Sequence, residues 1–547
     1  MRKFNHSFQM KKILFLFLFL LNFNVSAQKK PTPISKKPKL VIGIVVDQMR
    51  YDYLYRFYDK YSSKGLRRLM DEGFNCRNNH YHYASTITGP GHAHVYSGSV
   101  PSISGIVGNG WYDKTIDKTM YVVSDSTVEV LGNGTSLAGK MSPRNMKVTT
   151  ITDQLRIATQ FKSKVIGIAF KDRGAILPAG HTGSAYWYDS GRGSWISSTY
   201  YGDALPEWVN KFNELKLPQS YAEKMWEPLY PLESYVETEE DDQPYENPIS
   251  GETKAVFPHK VNLGSLANTY FGNDLTTQFS LAAFDAEKLG KGEYTDFLAI
   301  SYSTPDYAGH AFGPQSKEIQ DIYLRLDKNI EELLARFDRD LGVGNYTVFL
   351  SADHGIAEIP AFLMKNKIPS GLFTGSEFKN ETEKVLGEKF GAGKYVLSSD
   401  NYQLYLNKPL LKQKNIEVST VAAVLKEHFA FHDGIYSVVN LEDASNLNIP
   451  DYYKKKITNI YNPKRSGEIM FLVEPAWFAG YTKGTTHGTM YPYDTHVPLL
   501  FFGWGINKGS TVKPTAIADI APTLAMLLKI LEPNGNTGLP IQEVLKQ

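Results

Sequence analysis

The chain has 547 residues, 42% of them hydrophobic and 21% charged, a globular composition with room for one large domain with insertions or for two to three domains. A formal charge of +2 points to no nucleic-acid surface, and no nucleic-acid partner is expected. A single cysteine, Cys76, excludes an intrachain disulfide, so the chain must be held by its core, by metals, or by both.

The N-terminus reads as a processing signal. Met10-Lys11-Lys12 leads into an apolar run from Ile13 to Leu21, and Val25-Ser26-Ala27 supplies a small-residue cleavage site, the pattern of a secretory signal peptide over 1–27. The run is short for a membrane span, and no later stretch is apolar and long enough for one. Met1 and Met10 both stand open as the start. Residues 28–39 form a polar, Pro- and Lys-rich linker. Losing 1–27 removes Arg2, Lys3, Lys11 and Lys12 and no acid, so the charge moves from +2 to about −2. These features place the mature protein in the periplasm or outside the cell, with no membrane span after signal removal.

From residue 40 the pattern predicts an α/β fold, a mostly parallel central sheet flanked by helices and interrupted by insertions. Leu40 to Val46 is continuously apolar, a strand buried on both faces, and it ends in Asp47. Open α/β sheets bind ligands beyond the carboxyl ends of their strands. Helical patterning over Tyr53–Met70 and an alternating strand over Phe74–His82, with Cys76 as a small buried member, lead to Thr88-Gly89-Pro90-Gly91-His92-Ala93-His94. A short helix to Tyr96 starts there, with Pro90 tolerated in its first turn. The Thr88 hydroxyl then sits where backbone N–H groups and the helix dipole favour an anionic oxygen, although a Thr-Gly-Pro turn alone is only a turn. Asn109 stands between Gly108 and Gly110, and residues 113–145 read as a peripheral insertion.

Thr150 caps a helix over Ile151–Thr159, and a second buried strand, Val165–Phe170, ends in Lys171-Asp172-Arg173. Residues 180–262, rich in Tyr, Trp, Pro and acids, read as an insertion covering one side of the core. A helix over Leu275–Leu289 precedes a third strand, Asp296–Tyr302, which runs on to Asp306 and His310. A helix over Lys317–Phe337 carries Ile319, Ile322, Leu326, Ile330 and Leu333 as a core stripe. A fourth strand, Tyr346–Ala352, ends in Asp353-His354-Gly355. Residues 360–475 contain a further insertion, a small α/β subdomain. His487 lies in a polar loop, and a late strand, Val497–Gly503, with a helix over Asp519–Leu528 closes the core.

Three strands thus end in carboxylates, Asp47, Asp306 and Asp353, and neighbouring loops add His310, His354 and His487. Carboxylates and neutral imidazoles are good Zn²⁺ ligands. Asp306 and His310, four apart, suit one ion, and adjacent Asp353 and His354 can reach one from a loop. Six ligands divide into two sites of three, each with an open position. Any one of them alone is an ordinary polar group; their common placement at strand carboxyl ends points to metal.

In order and spacing, Asp47, Thr88 before Gly-Pro-Gly-His, Asp306-x-x-x-His310, Asp353-His354-Gly355 and His487-Gly488 resemble the alkaline phosphatase superfamily, most of all its branch of type I phosphodiesterases and nucleotide pyrophosphatases. Asn109 and Lys171-x-Arg173 resemble that branch's periplasmic, phosphate-irrepressible alkaline phosphatases, which use a threonine nucleophile. The resemblance covers nearly the whole mature chain. It implies two Zn²⁺ per chain, one held by Asp306, His310 and His487, the other by Asp47, Asp353 and His354 with Thr88. It implies hydrolysis of small phosphate monoesters through a phosphothreonine at Thr88, two displacements that retain configuration at phosphorus. Lys171 and Arg173 would neutralise the extra charge of a monoester, and Asn109 would donate to a phosphoryl oxygen. His92 and His94 read as structural, and no third metal site is read, with Lys171 in that role.

The alternatives are a phosphodiesterase or nucleotide pyrophosphatase on the same scaffold, a secreted binding protein without turnover and, as a minor option, a phosphomutase. A sulfatase does not fit, because Thr88 is not in a Cys/Ser-x-Pro-x-Arg motif. The physiological ester, regulation by phosphate and the oligomeric state, for which a monomer is favoured, are not fixed by the sequence.

Overall fold

Seven apolar residues in succession leave a strand no face for water, and Leu40–Val46 is buried along its whole length. This strand, β1, lies inside the largest sheet of the computed structural model, which describes residues 36–373, 376–480 and 482–546. The signal peptide read over 1–27 and most of the linker lie outside the described residues.

The sheet has ten strands: β1, β2 (Phe74–His80), β3 (Val130–Leu131), β4 (Val165–Ala169), β5 (Ser184–Asp189), β6 (Ser194–Ser198), β7 (Asp296–Tyr302), β8 (Tyr346–Ser351), β9 (Leu499–Gly503) and β10 (Gly509–Ala516). Their order is β10-β2-β9-β8-β1-β7-β4-β5-β6-β3. β1 pairs in parallel with β7, Val46 opposite Tyr302, and with β8, Val45 opposite Ser351. β7 pairs in parallel with β4, Ser301 opposite Ala169. Four strands therefore end level at one edge. β9 runs antiparallel between β8 and β2.

The sheet reaches further into the expected insertions than the sequence suggests. β5 and β6 form a hairpin inside 180–262, and β3, from 113–145, pairs with β6 at the edge. Their aromatic residues are buried on both faces, so the polar–apolar alternation that marks a half-exposed strand is missing. Within 360–475, strands Val396–Asp400, Gln403–Leu406, Ile469–Val473 and Ile435–Asn440 form a separate antiparallel sheet. It packs its own core, including Phe378, Leu386, Leu425 and Phe471.

Four helices matter for the site: α1 (Thr88–Ser97), α2 (Asp172–Ala179), α3 (Thr304–Phe312) and α4 (Lys317–Leu341). The stripe on α4 is buried as its spacing requires. The single helix expected over Tyr53–Met70 is instead broken into Tyr53–Arg56, a 3₁₀ turn and Leu66–Glu72. Asp327 of α4 causes the break, accepting the N–H groups of Ser62 at 2.7 Å and Leu66 at 2.6 Å. Gly65 leaves room for it, since a Cβ there would stand 2.2 Å from Asp327 Oδ1.

α1 is seated on β1 by another missing side chain. A Cβ on Gly43 would lie 2.5 Å from Tyr96 Oη and 2.6 Å from the Phe349 ring. The 360–475 segment is tied to the core by Lys456 of helix Asp451–Thr458. Its buried Nζ donates to Met490 O at 2.9 Å, and Ala84 N–H donates to Lys456 O. Burial pushes the Lys456 amine down to about 7, against an opposing pull from Asp494.

Two outcomes follow. Gly43→Ala overpacks the contact between α1 and β1 and lowers stability in urea by about 1–3 kcal/mol. Lys456 is neutral in the native state above about pH 7, whereas the unfolded chain keeps its proton up to about pH 10. The unfolded state binds more protons across that window, so stability rises with pH there, by up to about 1.4 kcal/mol per pH unit. Lys456→Met loses this slope, read as the difference in urea midpoint between variant and wild type at each pH.

Candidate metal centre and active site

The level strand ends deliver the chemistry. β1 runs into Asp47, β4 into Lys171 and α2, β7 into α3 with Asp306 and His310, and β8 into Asp353 and His354. α1 starts at Thr88, and His487 enters from the loop before β9. Asp306 and His310 sit one turn apart on α3, whose first turn admits Pro305.

Three histidines share one arrangement. His310 Nδ1 faces Thr485 O at 2.8 Å, His354 Nδ1 faces Gly355 O at 2.9 Å and His487 Nδ1 faces Thr86 O at 2.8 Å. A carbonyl only accepts, so each Nδ1 carries a proton and each Nε2 is left facing the cluster, the arrangement that metal-ligating imidazoles use. Those Nε2 atoms converge on carboxylates. Asp306 Oδ1 lies 3.3 Å from His310 Nε2 and 3.5 Å from His487 Nε2. His354 Nε2 lies 3.4 Å from Asp47 Oδ1 and 3.5 Å from Asp353 Oδ2. Among the described residues, Asp47 Oδ1 and Asp353 Oδ2 are buried and accept no hydrogen bond, which suits donors facing a cation.

Two groups fall within one ion's reach: Asp306, His310 and His487; and Asp47, Asp306 and His354. The first is the expected triad. The second contains Asp306 rather than the expected Asp353, which stays beside it: Asp353 Oδ2 lies 3.5 Å from His354 Nε2 and 3.3 Å from His92 Nδ1, and its Oδ1 accepts Gln48 N–H at 3.1 Å.

Lys171 lies between the groups, its Nζ donating to Asp306 Oδ2 and standing 2.8 Å from Asp47 Oδ2. Burial would raise both acids. At Asp306, Lys171, His310 and His487 outweigh it and hold the carboxyl well below its usual range. At Asp47, burial and the Asp353 charge prevail and push it up. Burial holds His487 and His354 below the usual imidazole value.

Thr88, 1% exposed, points its Oγ1 into this cluster, 3.5 Å from His354 Nε2 and 3.5 Å from Arg173 Nη2. Arg173 Nη1 donates to Tyr121 Oη at 3.1 Å, and that hydroxyl donates to Asp172 Oδ1 at 2.5 Å. Asn109 Oδ1 accepts Gly89 N–H at 2.8 Å, which leaves the amide NH₂ for another acceptor. His94 gives Nδ1–H to Ser99 O, and burial pushes it down to about 4. His92 bonds Ser301 Oγ at 2.8 Å and Thr88 O at 3.0 Å, clamping the turn of Thr88.

Several positioning residues carry no sequence signal of their own. Gln48, in the left-handed region at φ 68, donates Nε2–H to Asp306 Oδ1 at 2.8 Å as its N–H bonds Asp353. Gly309 makes room for it, because a Cβ there would stand 1.8 Å from Gln48 Oε1. Asp494 Oδ2 accepts from Gly488 N–H, Thr489 N–H and Thr489 Oγ1, fixing the loop of His487. Burial pushes its carboxyl up to about 7.

The comparisons with known proteins identify the family. The family model for type I phosphodiesterase / nucleotide pyrophosphatase matches residues 41–497. The chain belongs to this family, within the alkaline phosphatase superfamily. A Myroides odoratus protein named calcium-transporting ATPase is 45% identical, covering 94% of this chain and 95% of the relative. Alkaline phosphatase PhoV of Synechococcus elongatus is 42% identical, covering 96% and 97%. Alkaline phosphatase PafA of Elizabethkingia meningoseptica is 41% identical, covering 95% and 96%. A crystal structure of wild-type PafA superposes with a TM-score of 0.91 at 41% identity, over 94% of this chain and 100% of that one. The superfamily's metal dependence fits the donor set found here.

Gln48→Leu keeps the side chain's bulk and removes the bond to Asp306. It weakens metal retention against a chelator by about 10–100-fold while circular dichroism stays unchanged.

Proposed function

We propose that this chain is a secreted, two-zinc alkaline phosphatase that hydrolyses small phosphate monoesters through a phosphothreonine at Thr88. One observation carries the reading: a buried threonine hydroxyl at a helix N-terminus faces Arg173 and His354 in front of a cluster of three carboxylates and three imidazoles. Asp306, His310 and His487 would hold one ion, and Asp47, Asp353 and His354 the other. Bound zinc supplies Lewis acidity that favours an ionised nucleophile and shields phosphoryl charge.

The chain's own groups do the rest. Thr88 Oγ, giving up its proton, bonds to phosphorus as the bond from phosphorus to the ester oxygen breaks and its electron pair leaves with the alcohol, which takes up a proton. Water then gives up a proton and bonds to phosphorus, the bond from phosphorus to Thr88 Oγ breaks, that oxygen regains a proton, and phosphate departs. Burial opposes charge on Arg173, but Tyr121 and Asp172 beside it keep the guanidinium protonated. Arg173 and the free amide of Asn109 would bind phosphoryl oxygens, with Lys171 next to them. A monoester carries one more negative charge than a diester, and Lys171 with Arg173 is the pair that rewards it.

The relatives support the same chemistry. PhoV and PafA are named alkaline phosphatases. A solved PafA variant replaces a Thr, an Asn, a Lys and an Arg in the order and at the spacing of Thr88, Asn109, Lys171 and Arg173. The Myroides relative's name describes transport; the proposed ligand and phosphate-binding residues support the phosphatase reading instead. Among the described residues no helix is long and apolar enough to cross a membrane. The basic start, apolar run and Ala27 site support secretion.

The family's description keeps a diesterase as the second reading. Steady-state hydrolysis of an aryl phosphate and an aryl methyl phosphate, with metals quantified, separates the two. We expect monoester preference, two zinc per chain and a loss of at least about a thousandfold in kcat/KM for Thr88→Ala. Lys171→Ala and Arg173→Ala should each cost the monoester about 100-fold more than the diester. A wild-type diester preference would overturn the monoesterase reading.

A further inference from the structure

The smaller antiparallel sheet sends one hairpin tip to the active site. Strands Val396–Asp400 and Gln403–Leu406 pair Asp400 with Gln403 and turn on two residues, Asn401 and Tyr402. Both are left-handed, at φ 50 and φ 60, as a two-residue turn between twisted strands requires. Asparagine adopts this backbone readily, but the next position favours glycine, and a tyrosine there is strained. Strain of this kind persists where the surroundings hold it, and it clusters at binding sites. Here Tyr402 Oη accepts Ala479 N–H at 3.2 Å, and Tyr402 O accepts Phe471 N–H at 2.9 Å.

The tip reaches from one flank of the site to the other. On one flank it lies on the loop of Asn109. A Cβ on Gly108 would stand 2.7 Å from Asn401 Nδ2, and one on Gly110 3.9 Å from Asp400 Oδ2. On the other flank, Asp400, Asn401 and Tyr402 line a cavity of about 290 Å³ together with Thr486 and His487. Asn109 bonds Gly89, next to Thr88, so the cavity lies between the loop that fixes the nucleophile's turn and one of the three imidazoles. Its polar wall has capacity to spare. The Asn401 amide makes no hydrogen bond among the described residues, and the Asp400 carboxylate accepts the Asn401 backbone N–H. Burial raises Asp400 to about 6, so at alkaline pH it is ionised and only accepts.

Building on the phosphatase reading, we propose that this cavity is the subsite for the leaving alcohol, that Asp400 and Asn401 bond its hydroxyls while Tyr402 walls its ring, and that it selects sugar phosphates. The donor and acceptor pattern sets the class. A row of hydroxyls both donates and accepts, which suits an acceptor-only carboxylate beside an amide that does both. A plain alkyl chain would bury the two polar groups with nothing to pair them. An alcohol carrying a second anionic group would meet the Asp400 charge. Pockets of this kind combine an aromatic wall with a few placed polar groups that fix orientation.

The test compares glucose 6-phosphate with n-hexyl phosphate on the full zinc-loaded protein. Both are esters of primary alcohols, so the chemistry at phosphorus is alike. We expect kcat/KM for the sugar ester to exceed that for the alkyl ester by about tenfold or more. Asp400→Asn and Asn401→Gly should each cut this ratio by about fivefold or more; the second removes the amide and keeps the turn, since glycine favours its backbone. Calorimetric titration of the Thr88→Ala protein with the same two esters should show the same preference in Kd, lost when Asp400→Asn is added. A wild-type ratio near one, or a ratio that neither variant changes, would overturn the subsite. If the wild type turns over neither ester, the phosphatase reading falls by itself, and the calorimetric ratio still decides whether the cavity selects a hydroxylated alcohol.

Discussion

The parallel register of β1 with β7 and β8 is the constraint on which the site depends. Because Val46 lies opposite Tyr302 and Val45 opposite Ser351, Asp47, α3 and Asp353 emerge at one level. A shift of one strand by one residue would move its carboxylate about 3.3 Å along the sheet and turn its side chain to the other face. Complete burial of β1 fixes that register, since a slip would expose apolar surface at one end and bury Asp47 among aliphatic side chains at the other. The metal-ligand geometry is in this sense a property of the core.

Bringing three carboxylates together in a buried place is unfavourable unless cations join them. Lys171 supplies one charge, and its position between Asp47 and Asp306 explains why those acids shift in opposite directions: Asp306, with Lys171 and two imidazoles on it, stays ionised, whereas Asp47 beside Asp353 does not do so readily. Gln48 contributes dipoles to Asp306 and Asp353 without adding charge. The cluster therefore remains short of positive charge by an amount that bound metal would supply.

What the sequence made legible was whatever one segment dictates alone. β7 matches its apolar run residue for residue, and the α4 stripe is buried as its period requires. The strand-end residues could be singled out because a buried strand followed by Asp or Lys is a local pattern. Residues whose meaning lies in a distant partner were not visible. Gln48 matters through Asp306, Gly65 through Asp327, Tyr121 through Arg173 and Asp494 through the His487 loop, and nothing in their immediate neighbours announces those contacts. β5 escaped notice because Ser184–Asp189 offers neither an alternation nor the continuous aliphatic run that marks β1, only a short aromatic stretch in a segment rich in Tyr, Trp and Pro.

Tyr121 bears on how one scaffold serves both monoesters and diesters. It comes from the strand Lys118–Tyr121, inside a segment that reads as peripheral, yet its hydroxyl holds Arg173 on one side and Asp172 on the other. Without that bridge, a buried guanidinium 3.5 Å from the Thr88 hydroxyl would have lost a partner on the side away from it. The proposed metal ligands other than His487 follow strand ends whose level the parallel register fixes, so they leave little scope for changing the substrate. Of the groups proposed to meet the phosphoryl oxygens, Asn109 instead comes from a loop and bonds Gly89 of α1, and Arg173 is held by Tyr121 from an insertion. On this reading, the sheet sets the metals and the nucleophile, and the excursions from it set how much charge the bound ester must carry.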